Sequence, residues 1–334
     1  MADVNVDATW PWAEIAPQQI TNGVTRWFNP KTSDNSTLEL FRFDFKANPA
    51  LKLEMYDQDE DDAVPFDNKA DYFDRNVAAV AKHLTEQDRG KVIVAWNGLF
   101  HGYDRTVATP PHGLATHIGP NVIRGKGRYN YGSIRWGFGV KDSAFVILHQ
   151  PTVKQMEATM DFGAIGAQCL ILDGKPLKLQ ALPKPDDLPL KTPVPSTPAE
   201  AGHIPSVDFW KTSRTSMGWS KDNRYFYLLV VTEADNELQS KMASRGRSDR
   251  PDGGWTLADL QKFWIAFGAD FAINSDGGIA TQLVYRRATG DYEFVPPFFV
   301  GKGRMTIGKD FSGAPTGGGS LMSFAILDGT KVGK

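Results

Sequence analysis

Asn274-Ser275-Asp276-Gly277-Gly278 sets an amide, a hydroxyl and a carboxylate on a stretch where glycine lets the backbone bend sharply. Residues 271–273, just before it, are short and apolar, as a buried strand would be. In mixed α/β architecture the carboxyl end of such a strand is where ligands usually sit. Asp276 then has two readings: an acid–base, nucleophilic or cation-stabilising carboxylate, or a turn former that binds its own backbone. Gly277 and Gly278 would let a substrate approach backbone N–H groups. A second polar turn, Asn97-Gly98-Leu99-Phe100-His101, follows the apolar run 92–96. Asn97 and Asn274 can donate and accept, which suits hydroxyl recognition. His101 is either a candidate acid or an ordinary loop histidine.

Each turn needs an element to hold it. Ahead of Asp276, Thr256 and Asp259 form a capping-box pattern. Leu257, Leu260, Phe263, Trp264 and Phe267 recur at helical spacing, and Gly268 closes the helix. Ahead of Asn97, residues 71–87 read as an amphipathic helix with Tyr72, Phe73, Val77, Val80, Ala81 and Leu84 on one face. The order helix, buried strand, polar turn thus occurs twice. It predicts that Asn97 and Asp276 lie near each other at one end of a shared sheet.

The remaining chain narrows the class. Its 334 residues carry a formal charge of −2, so no general basic field for nucleic acid exists. No apolar run reaches membrane-spanning length, and the amino terminus lacks a signal-peptide layout. The single Cys169, inside the apolar run QCLIL, reads as a buried inert thiol. Gly125-Lys126-Gly127-Arg128 lacks the third glycine and the setting of a phosphate loop. His112 and His117 read as loop donors, without a third ligand at the spacing of a known metal site. The acidic run 57–62 reads as a solvated loop rather than a calcium site. No cofactor and no metal are implied.

Strand signals recur across 24–55, 143–149, 167–172, 225–231, 282–285, 294–300 and 321–327, with a short helix at 155–162. The sum is an α+β fold: a mixed multi-stranded sheet core with few helices. Residues 1–25 form an irregular lead-in and 26–330 one domain. The proline-dense stretch 182–205 reads as a surface insertion.

Four segments in order resemble the phosphodiester glycosidase family. AWNGLF at 95–100 is similar to the family's Asn-Gly-Gly-Phe-Phe, and AIGAQCLILDGK at 164–175 to a segment ending in Asp-Gly-Lys. Arg214-Thr-Ser-Met-Gly-Trp matches its Arg-Thr-Ala-hydrophobic-Gly. The helix and turn around Asp276 match a helix followed by Asn-Leu-Asp-Gly-Gly-Gly-Ser. The resemblance implies hydrolysis at the anomeric carbon of a sugar, with a carbohydrate or glycan substrate, and an extracytoplasmic location. It implies catalytic roles for Asp276, Arg214 and Asn97, with Arg214 holding an anionic leaving group in bidentate fashion. Asn274, Gly277, Gly278, Thr281 and His101 become substrate-binding candidates. Glycosidases usually employ two carboxylates, and Glu233 and Asp208 are candidates for the second. Ile279 and Ala280 stand where the family has Gly and Ser, making Thr281 the nearest hydroxyl, and Leu99 replaces a Gly. These departures bear on leaving-group specificity. A non-catalytic sugar-binding module on the same fold is the alternative.

Overall fold

A computed structural model describes residues 15–61, 69–71, 75–104, 114–128, 136–142, 144–180, 199–202, 211–233, 253–297, 300 and 302–329. The proline-dense stretch lies almost wholly outside them, as do Tyr72, Phe73, His112, Asp208 and the side chain of Glu233.

Two antiparallel sheets carry the fold. The large one has twelve strands. Its main path runs Gln18–Thr21, Val24–Asn29, Ser36–Asp44, Tyr225–Glu233, Arg214–Trp219, Phe271–Asn274, Phe162–Leu172, Trp136–Lys141, Ala144–His149. The second has six, ordered Met305–Ile307, Tyr292–Val295, Leu283–Arg286, Lys91–Asn97, Met322–Asp328, Leu51–Asp57. A third, small sheet joins Lys69–Asp71, Leu114–His117 and His101–Asp104.

Burial on both faces explains why so many strands are apolar throughout. In Ser36–Asp44, Phe41 and Phe43 enter the core between the two large sheets, where they join Met55, Trp96, Phe226 and Phe324. Leu38 and Leu40, on the opposite face, meet the helix Leu257–Phe267. Helix Val77–Glu86 (α1) covers the outer face of the six-stranded sheet through Val80, Ala81 and Leu84. Helix Val153–Thr159 (α2) packs Met156 on Val122 and Ile165. Helix Leu257–Phe267 (α3) covers the outer face of the large sheet. The layers run helix, sheet, sheet, helix. The class is α+β, as expected, and every described strand pairing is antiparallel.

Several boundaries move. α1 starts at Val77, because the Asn76 side chain accepts from the N–H groups of Ala78 and Ala79. Asp71, placed at the start of the helix by periodicity, instead ends a strand, Lys69–Asp71, that pairs with Leu114–His117. α2 ends at Thr159, and the strand begun at 167 on sequence starts at Phe162. That earlier start pairs Phe162 with Val140 and places Ala164 in the intersheet core. The run expected at 294–300 becomes Tyr292–Val295, stopped by Pro296 and Pro297, which offer no ladder N–H. α3 keeps its predicted form: Thr256 and Asp259 make the capping box, and Gly268 ends it at φ +80°.

Candidate functional site

α3 sets the register of the strand that leads to Asp276. Its Trp264 indole N–H donates to Ser216 Oγ at 2.8 Å, and Ser216 Oγ donates to the Ile273 carbonyl at 2.6 Å. Ser216 is thereby locked opposite Asn274. Asn274 is fully buried, and its Nδ2 donates to Gln168 Oε1 at 2.8 Å. Gln168 is a polar residue inside an apolar strand, a signal that passes unnoticed in the sequence until its partner is known.

Past Asn274 the chain turns onto two neighbours at once. Ser275 N–H donates to the Thr215 carbonyl (2.9 Å), Asp276 N–H to the Gly98 carbonyl (3.1 Å) and Gly278 N–H to the Ser213 carbonyl (2.7 Å). The Asn97 side chain completes the join. Its Nδ2 donates to the Asp276 carbonyl at 2.6 Å, while its Oδ1 accepts from Thr215 Oγ1 and from the Gln282 N–H, both at 3.1 Å. Gln282 in turn accepts from the Val77 N–H at the start of α1. Asn97 and Asp276 therefore meet as expected, but not in a shared sheet: one ends a strand of the six-stranded sheet, the other follows a strand of the large sheet. Antiparallel pairing within each sheet leaves their turns to converge across the gap between the sheets.

This geometry assigns the residues unequal exposure. Asn97, Arg214 and Asn274 are buried, and Arg214 Nε donates to the Trp255 carbonyl at 2.9 Å. Thr281 is buried too. Asp276, Gly277, Gly278 and His101 are half-buried, so these are the candidate residues that reach the surface. The N–H groups of residues 276, 277, 278, 280 and 281 all donate within the protein, so they are not aimed at a substrate. The glycines serve packing instead: a Cβ on Gly277 would lie 2.8 Å from the Ser213 carbonyl oxygen, and Gly278 sits at φ +62°.

The Asp276 carboxyl accepts one bond, from the Gly277 N–H at 2.9 Å, and no cation pairs with it among the described residues. Burial dominates, and the single N–H opposes it only in part, so the carboxyl is pushed up to about 7. His101 moves the other way. Burial, helped by the neighbouring His117 ring, lowers it to about 4, so above about pH 5 it is neutral and no imidazolium acid.

The acidic run 57–62 is a correction. Asp57 and Asp59 are fully buried, not solvated. Asp57 Oδ2 lies 3.0 Å from His117 Nε2 and accepts from Asn121 Nδ2 at 2.8 Å; Asp59 Oδ2 accepts from Arg128 Nη1 at 3.0 Å. Asn121 and Arg128 come from the hairpin Asn121–Ile123/Lys126–Arg128, 64 and 69 positions from their partners, and His117 from the end of the strand before it, which no local pattern announces. His117 is thus a carboxylate partner rather than a loop donor. Among the described residues no group of three or more His, Cys, Asp or Glu side chains is placed to hold a metal. No described helix is long and apolar enough to cross a membrane. Cys169 is buried, and burial pushes its thiol up.

No curated protein matches the chain. Among solved structures, it is similar to the zebrafish N-acetylglucosamine-1-phosphodiester α-N-acetylglucosaminidase catalytic domain auto-inhibited by its pro-peptide. That match has 16% identity, covers 94% of this chain and 81% of that one, and has a TM-score of 0.48. A hypothetical protein from Synechocystis matches at 11% identity over 94% of this chain and 64% of its own length, with a TM-score of 0.47. The sequence profile of the phosphodiester glycosidase family matches residues 90–305, a span that takes in the Asn97 turn, Arg214 and the Asp276 turn. On that match, which covers well over half of its length, the chain belongs to the phosphodiester glycosidase family.

Proposed function

We propose that this protein hydrolyses a bond at the anomeric carbon of a sugar, a sugar-1-phosphodiester or a microbial glycan, with Asp276 as its acid–base carboxyl. The observation that carries the reading is the state of Asp276: half-buried, without a cation beside it among the described residues, and with its pKa pushed up to about 7 by burial. A carboxyl that titrates near neutrality can give a proton to a leaving oxygen in one form and, ionised, assist water or stabilise a cationic anomeric centre in the other. Asn97 and Arg214 serve as residues that hold the turn, since both are buried and bonded to its backbone or to the segment beneath it. Family membership supports the hydrolase class, and an extracytoplasmic place of action goes with the same resemblance.

The test is turnover of an N-acetylglucosamine-1-phosphodiester and of a neutral α-glycoside by wild type and Asp276→Asn, with circular dichroism to show that both are folded. Loss of turnover in the folded variant is expected; wild-type-like turnover would remove Asp276 from the reaction. One observation favours a second reading, a sugar-binding module without chemistry: the N–H groups of the turn are spent within the protein. A wild type that binds glycans and cleaves none of these substrates would select it.

A further inference from the structure

Because the N–H groups of the Asp276 turn donate within the protein, a donor to a ligand there has to be a side chain. Gly277 and Gly278 have none, and Thr281, the nearest hydroxyl in sequence, is buried. A hydroxyl comes instead from the segment that runs against the turn. Gly278 N–H donates to the Ser213 carbonyl at 2.7 Å, and a Cβ on Gly277 would lie 3.3 Å from Arg214 Cα. The residue before Ser213 is Thr212, fixed through its backbone by Trp255. Its N–H donates to the Trp255 carbonyl at 3.3 Å, and its carbonyl accepts from the Trp255 N–H at 2.9 Å. Its side chain is not used for this: Thr212 is half-buried, and its Oγ1 makes no hydrogen bond among the described residues. That oxygen lies 3.6 Å from where a Cβ on Gly278 would stand, and among the described residues no other atom outside the turn comes within 4 Å of that point. Gly278 is two residues from Asp276, at most about 7.6 Å between Cα atoms.

We propose that the Thr212 hydroxyl is a sugar-contacting group of the Asp276 site, pairing with a hydroxyl of the sugar rather than with an anionic leaving group, and that the bare face of Gly278 is the space the sugar enters. This rests on the hydrolase reading above for the reaction, but not for the contact. A threonine hydroxyl donates and accepts at once, as a sugar hydroxyl does, so the two pair without a charge on either side. An anion is the poorer match. Burial with no described cation already pushes the neighbouring Asp276 carboxyl up to about 7, and the same surroundings disfavour a second negative charge. Thr212 lies two residues before Arg214, yet the two differ in reach: Arg214 is buried and its Nε donates to the Trp255 carbonyl, whereas Thr212 is half-buried. The segment thus holds the turn through its buried residues and meets the ligand through Thr212.

The experiment compares two variants of the full chain, both checked for folding by circular dichroism. Thr212→Val keeps the branched shape and loses the hydroxyl; Thr212→Ser keeps the hydroxyl. Turnover is measured on an N-acetylglucosamine-1-phosphodiester and on an α-glycoside of the same sugar with a neutral leaving group. Binding of free N-acetylglucosamine, glucose, galactose and mannose is followed by NMR titration. Thr212→Val should lower kcat/KM by about 3- to 10-fold, by the same factor on both substrates, and weaken sugar binding to match, while Thr212→Ser stays close to wild type. A loss confined to the phosphodiester assigns the hydroxyl to the leaving group and overturns the proposal, and so does a Thr212→Val indistinguishable from wild type. If Thr212→Val does not fold, Thr212→Ala takes its place with the same outcomes. A wild type that binds a sugar through Thr212 and cleaves nothing removes the hydrolase reading and keeps the contact. One that cleaves both substrates without regard to Thr212 does the reverse, and one that neither binds nor cleaves overturns both.

Discussion

The turn after Leu51–Asp57 and the turn after Phe271–Asn274 share one local plan. In each, a buried strand leads to an aspartate, Asp57 at the strand's last position and Asp276 two residues past Asn274, and then a short 3-10 turn, Gln58–Asp61 in one case and Gly278–Ala280 in the other. Their charges are treated in opposite ways. Burial works against ionisation of Asp57, but His117, the Asp59 N–H and Arg128 outweigh it and hold the carboxyl below the usual carboxylate range. Among the described residues Asp276 has the Gly277 N–H alone, and burial pushes it up to about 7. A carboxylate whose charge is matched by buried partners is committed to the fold. One left with a desolvation cost and a route to the surface is free to exchange a proton, which is the pattern of functional sites.

The largest expected effect tests the active half of that contrast. Asp276→Asn should lower turnover by about 10³-fold or more, because the amide keeps the shape of the turn but neither gives nor takes the proton. Steady-state kinetics on a sugar-1-phosphodiester measures it.

The structural half is tested by Asp57→Ala, which takes the carboxylate from His117 and Asn121 among buried groups. It should cost about 3–5 kcal/mol of stability at pH 7, read by urea denaturation. Because the folded-state pKa of Asp57 is depressed, this contribution is present above the unfolded carboxylate value of about 3.9 and fades as pH falls below it. The gap between wild type and variant should therefore close in acid. An equal gap at pH 3 and pH 7 would break the comparison.

Asp276→Asn has an opposite signature in stability. The folded pKa of about 7 lies above the unfolded value, so the group favours the fold below about pH 4, and this is lost as pH rises through 7. The variant should be more stable than wild type by about 1–3 kcal/mol at pH 8, allowing for screening of a half-buried group, and no more stable at pH 4. Thermal melts at the two pH values measure it.

The smallest effect is a control away from both turns. Thr256→Ala removes the cap of α3, where Asp259 N–H donates to Thr256 Oγ1 at 3.2 Å, and should cost about 1 kcal/mol with little dependence on pH between 6 and 8.

What the sequence determined by itself was local. Thr256, Asp259 and Gly268 specify where α3 begins and ends, because capping is satisfied within a few residues. The apolar runs ending at Asn97 and Asn274 specify strands, and the polar turns beyond them are visible as turns. Family membership was legible too, since four motifs in order are sequence facts. Tertiary structure decided the rest, and the reason is reach. Asp57 and His117 are 60 positions apart, and nothing in the acidic run tells a buried ion pair from a solvated loop until the hairpin carrying Arg128 folds over it. Asn97 and Asp276 looked like ends of one sheet, yet they join two, since only the packing of sheet on sheet brings the Asn97 amide to 2.6 Å from the Asp276 carbonyl. Even the Asp276 pKa is a tertiary property: the residue type supplies the carboxyl, and the absence of a described cation beside it, which the packed sheets determine, sets where it titrates.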